Sequence, residues 1–124
     1  MTNLNYLLLA VENPARSAEF YTALLGQQPV ENSPTFVLYV LPNGLKLGLW
    51  LKDDMIPAPK SPGGVEITFS EPDIAAVNRT HDAWKAQGVE IIQSPTTMDF
   101  GFTFTARDPD GHHLRVFARA ENPR

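Results

Sequence analysis

Pro42-Asn43-Gly44 stands between the apolar runs 34–41 and 45–51, and Pro109-Asp110-Gly111 stands between the runs 102–107 and 112–119. An Asn-Gly or Asp-Gly pair between apolar runs is the strongest short signal for a β-hairpin, because both residues accept the backbone angles of a tight turn. The same grammar twice in a chain of 124 residues raises the question of an internal repeat.

Working outward from each hairpin answers it. Before the first, residues 4–11 are apolar and strand-like, and Asn13-Pro14 supplies an N-cap with proline at the first helical position. Ala18, Tyr21, Leu24 and Leu25 recur at helical spacing until Gly26 stops the helix. Before the second, residues 65–70 read as a strand and Pro72-Asp73 opens a helix. Ile74, Val77, His81 and Trp84 form its stripe, Gly88 ends it, and a short strand follows over 89–93. The two halves align, with Tyr6 on Glu66, Gly26 on Gly88 and the two turns on each other. The expected fold is therefore α+β, two βαβββ modules over about 1–51 and 64–120 within one domain, joined by a Pro/Gly-rich linker over 52–63. One module cannot cover its own sheet, so the two are expected to pair side by side or to exchange with a second chain in a homodimer.

Composition narrows the function classes. The chain is 43% hydrophobic and 19% charged, which suits a globular fold rather than disorder. A net charge of −4 without a basic run argues against nucleic acid and against an anionic membrane as partners. The chain has no cysteine, which removes disulfides, thiolate metal sites and a cysteine nucleophile. The apolar run 7–11 is too short to span a bilayer and has no basic leader, so a cytoplasmic location is expected. Only the tail from 121 to 124 reads as frayed.

If both hairpins close through two-residue turns, alternation fixes which side chains share a face. Val37, Tyr39 and Leu41 then lie opposite Trp50, Gly48 and Lys46. Phe104, Ala106 and Asp108 lie opposite Phe117, Arg115 and His113, and Phe102 continues that row. Tyr6, Leu8 and Ala10 join from the first strand, and Glu66, Thr68 and Ser70 from the fifth. A face mixing Tyr, Trp and Phe with placed polar groups is how small-molecule sites are built. The same mixture also suits a dimer-forming surface.

The run Val11…Asn13-Pro14…Phe20-Tyr21…Leu25-Gly26, the Asp108-Pro109-Asp110-Gly111 turn and the repeated layout together resemble the vicinal oxygen chelate superfamily. That family includes glyoxalases, extradiol dioxygenases, fosfomycin-modifying enzymes and bleomycin-binding proteins. The resemblance implies dimers that cup a ligand in an open sheet. It also implies a divalent metal held from the first and fourth strands of each half, at positions that fall here on Tyr6, Gly48, Glu66 and Arg115. Only Glu66 is an ordinary ligand, so no metal or other cofactor is expected. The histidines do not replace it. His81 sits on a helix stripe, while His112 and His113 are adjacent on a strand and point to opposite faces. A closer similarity, carried by the runs 36–50 and 98–116, is to the metal-free phenazine-binding resistance proteins.

The expected function is metal-independent sequestration of a planar aromatic small molecule such as an antibiotic; the alternative is a glyoxalase- or dioxygenase-like enzyme, metal-dependent or metal-independent, acting on a small molecule. Trp50 would stack the ligand with one or more of Tyr39, Phe100, Phe102 and Phe104. Arg115 or Lys46 would take a carboxylate, and Glu66 with Thr68 or Ser70 would supply donors and acceptors. Tyr6 and His113 complete the expected ligand-binding set. The segment 52–64 and the loop 94–101 would form the rim, with Met55 and Met98 as adaptable fillers.

Overall fold

The computed structural model describes residues 4–59 and 65–120, in two compact units, Met1–Gly63 and Gly64–Arg124. The first runs β1 (Tyr6–Val11), α1 (Pro14–Leu25), β2 (Glu31–Asn32), β3 (Phe36–Val40) and β4 (Lys46–Leu51). The second runs β5 (Glu66–Glu71), α2 (Ile74–Ala86), β6 (Glu90–Met98), β7 (Gly101–Arg107) and β8 (His113–Arg119). Each is a βαβββ module whose four-stranded mixed sheet has the order β1-β4-β3-β2 or β5-β8-β7-β6. In both, the first and last strands pair in parallel and the rest antiparallel.

Local chemistry sets the helix ends. Asn13 accepts from the Arg16 N–H and Asp73 from the Ala76 N–H, each satisfying an orphan donor of the first turn. Each helix covers one face of its sheet. Leu9, Val11, Val37, Tyr39, Leu47 and Leu49 are buried under α1 with Ala18 and Tyr21. In the second unit Phe104, Ala106, Leu114, Val116 and Ala118 are buried on the α2 side with Val77 and Trp84. Ile74, expected on that stripe, is exposed.

Several expected elements move. The short strand β2 is polar, and a two-residue Glu-Asn pair carries no periodicity to read. Residues 94–98, expected as a loop, extend β6 past two register irregularities. Pro95 is tolerated there because β6 is an edge strand. Residues 52–54, inside the expected linker, form a single 3-10 turn. The end of that linker, 60–63, and the expected frayed tail, 121–124, lie outside the described residues.

The largest correction concerns the hairpins. Both close through three residues rather than two. Gly44 N–H donates to Leu41 O and Leu41 N–H to Leu45 O, while Gly111 N–H donates to Asp108 O and Asp108 N–H to His112 O. Gly44 and Gly111 both sit at φ 90°, the left-handed position of a type I turn with a bulge. The Asp108 carboxylate accepts from the N–H groups of Asp110 and His112 and braces the second turn. The extra residue shifts the partner strand by one, and in a strand that reverses every side chain.

Candidate functional site

The register fixes the open face of the first unit. β4 offers Lys46, Gly48 and Trp50, β1 offers Tyr6, Leu8 and Ala10, and β3 offers Phe36, Leu38 and Val40. Tyr39 is therefore not beside Trp50, as the two-residue turn had implied. It pairs with Leu47 on the helix side, fully buried, donating to Ala18 O at 3.1 Å and hydrogen-bonded to the Thr22 hydroxyl at 2.9 Å. Burial raises its phenol pKa, and the Thr22 bond opposes that shift.

Phe36 takes the place expected of Tyr39. Its ring stands 6.4 Å from Trp50, edge to face at 84°. Together with Tyr6 and Leu8 they line an open cavity of about 340 Å³, within the size range of small-molecule sites. Gly48 lies beneath two of these side chains. A Cβ on Gly48 would lie 2.5 Å from Leu8 Cδ2 and 3.0 Å from Phe36 Cε1, so the missing side chain is what lets Leu8 and Phe36 meet across the strand. Lys46 is on the same face but four residues from Trp50, roughly 13 Å along the strand.

The open face of the second unit is polar at its centre. Arg115 lies between Thr68 on β5 and Thr105 on β7. Its Nε donates to Glu66 Oε2 at 3.2 Å, and its Nη1 donates to Gln93 Oε1 and Thr103 Oγ1, both at 3.2 Å. Thr105 Oγ1 donates to the same Gln93 oxygen at 2.8 Å, and Thr103 Oγ1 donates to Val116 O at 2.9 Å. The Phe100 ring, from the β6–β7 turn, lies 5.6 Å from the guanidinium carbon and 5.9 Å from the Phe117 ring. His113 is exposed on this face, in register with Glu66 and Arg107.

Phe104 and Phe102 are not on that face. Phe104 is fully buried on the α2 side, edge-on to His81 and Trp84. Phe102 pairs with Ala118 and lines a different cavity, of about 620 Å³, beside the start of α2. Asp108 and Ala106 are likewise buried and off the face. Phe36, Gln93, Thr103 and Thr105 stand on the open faces instead, while Phe117 lies on the face where the sequence puts it. The proline before each Asn-Gly or Asp-Gly pair was the signal for Phe36, Thr103 and Thr105, since proline at the second turn position and glycine at the fourth mark the three-residue form.

The family model for the Glyoxalase/Bleomycin resistance protein/Dioxygenase superfamily matches residues 3–116. The chain belongs to this superfamily. It is 30% identical over 115 residues to the phenazine antibiotic resistance protein EhpR of Enterobacter agglomerans, covering 90% of this chain and 88% of that one. It is also 27% identical over 110 residues to a trivalent organoarsenical cleaving enzyme of Bacillus sp. (strain MD1), covering 88% and 68%. Among solved structures, protein ATC0852 from Agrobacterium tumefaciens is 50% identical, with a TM-score of 0.89 over 98% of this chain and all of that one.

The side chains at the superfamily's metal positions do not fit a divalent cation here. Gly48 has no donor, and its side-chain space is filled by Leu8 and Phe36. Arg115 is a permanent cation already paired to Glu66, the single carboxylate of the four. Among the described residues no group of three His, Asp or Glu side chains could hold a metal ion. Nor is any described helix long and apolar enough to cross a membrane.

Proposed function

We propose that the protein binds a planar aromatic small molecule and withholds it from its target without altering it. The observation that carries this reading is the apolar cup of Trp50, Phe36, Tyr6 and Leu8, with Leu8 and Phe36 packed over Gly48. The indole and the phenyl ring stand at 84° to one another, both half-buried at an open cavity, where an aromatic ring can stack against a flat ligand. Such a pair adds about 0.5–1.5 kcal/mol beyond buried area, and it does so for any planar ring, which favours breadth of ligand. The name of the relative EhpR points to phenazines as the first ligands to try. Homodimerisation and a cytoplasmic setting belong to the same reading.

A second reading, small-molecule enzymology, is favoured by the organoarsenical cleaving relative. Equilibrium dialysis against phenazine, with mass spectrometry of the recovered ligand, separates the two. Saturable uptake of unchanged phenazine, lost in Trp50→Ala, supports sequestration. A modified product supports the enzyme, and no uptake of phenazine or of other planar aromatics overturns the binding reading.

A further inference from the structure

Arg115 is held more tightly than a side chain that merely balances a charge. Three acceptors on three elements fix it, Glu66 on β5, Gln93 on β6 and Thr103 on β7, and its guanidinium carbon lies over the Phe100 ring. Gln93 is held in turn by Thr105. Among the described residues the Nη2 nitrogen donates to none, so one edge of the fork, with two N–H groups, is free and oriented in advance.

The charge around that edge is already compensated. Glu66 faces Arg115 at 3.2 Å, and Arg107 on the same face is paired to Glu90 at 3.1 Å, while Arg119 lies four residues further along β8, roughly 13 Å away. An incoming carboxylate would find an N–H edge but also the Glu66 charge close by, and the two anions would repel. A neutral acceptor meets the same N–H groups without that opposition. We infer that the free Nη2 edge of Arg115, beside Phe100, is a subsite for a neutral hydrogen-bond acceptor, a ring nitrogen or carbonyl oxygen on the edge of a planar aromatic ligand. The subsite lies wholly within the second unit, with Phe100 as its aromatic partner; it rests on the reading above that the protein takes a planar aromatic ligand, and it replaces the carboxylate that the sequence suggested for Arg115.

The test is calorimetric titration of the full chain with phenazine and with phenazine-1-carboxylate. Anthracene, of the same shape without ring nitrogens, is followed by its own fluorescence. The wild-type protein should bind phenazine about tenfold more tightly than anthracene, the factor expected for one hydrogen bond to a charged donor, and should bind the carboxylate no more tightly than phenazine. Arg115→Lys keeps the charge, loses the fork, and should weaken phenazine about tenfold while leaving anthracene unchanged. Equal affinity for phenazine and anthracene overturns the assignment, as does a carboxylate bound tenfold more tightly than phenazine. A folded Arg115→Lys protein within twofold of wild type for phenazine does the same. If that variant does not fold, the wild-type ligand series decides alone. Failure of all three compounds to bind wild type overturns the planar-ligand reading and this assignment together.

Discussion

Arg115 Nε donates to Glu66 Oε2 across 3.2 Å, joining the two residues of the second unit that stand at the superfamily's metal positions. A carboxylate engaged by a guanidinium is a poor metal ligand, because the metal would have to displace a permanent cation at contact distance. Added zinc, nickel, manganese or iron is therefore expected to leave the melting temperature unchanged. Any ion that bound the folded state at a hundredfold excess over its Kd would add about 2.7 kcal/mol, an easily measured shift. Differential scanning calorimetry with and without each metal reads it, and a clear upward shift would contradict the donor chemistry.

Tyr39 separates stability from binding. Tyr39→Phe removes a buried hydroxyl bonded to Ala18 O and Thr22 and is expected to cost about 1–2 kcal/mol in urea unfolding, with ligand affinity unchanged. A weakened phenazine affinity at intact fold would put Tyr39 back in the site.

The same phenol gives a pH signature. Its folded pKa is raised above the ordinary value of 10.0 by burial. Its contribution is then complete below about pH 10 and is lost as pH climbs from there through the folded pKa. Urea midpoints measured across the alkaline range should fall for wild type and fall less for Tyr39→Phe. Parallel curves would remove Tyr39 as the cause.

Gly48→Ala tests the packing beneath the cup. The new Cβ collides first with Leu8 Cδ2, the mobile end of a side chain that is 42% exposed and can swing outward. The expected stability change is thus about 1 kcal/mol or less, below the usual overpacking range. Displacing Leu8 and Phe36 should nonetheless lower phenazine affinity severalfold. A large loss of stability with unchanged affinity would show that Gly48 serves packing alone.

Much of this was legible in the sequence, and the part that was not has one main cause. The caps at Asn13 and Asp73 and both turns marked the two modules, because those residues act locally. Trp50, Lys46, Tyr6, Glu66, Arg115 and His113 were placed on the open faces, since alternation along β1, β4, β5 and β8 needs no knowledge of the turn. Taking each hairpin as two residues long slipped only the partner strands. Tyr39 and Phe104 were thereby promoted to the site from the core, while Phe36, Thr103 and Thr105 were hidden. Gln93 sits between two register irregularities of β6, where strict alternation fails.

The central claim, that Trp50 presents its indole to a planar ligand, is tested most directly by fluorescence of a Trp84→Phe variant. Trp84 is 6% exposed, packed against Phe69 and Phe104 behind the second sheet, and its replacement leaves Trp50 as the one indole in the chain. Titration with phenazine is expected to quench that emission saturably. Emission that stays constant while dialysis shows phenazine bound would contradict the account, because the ligand would then lie away from the Trp50 cup.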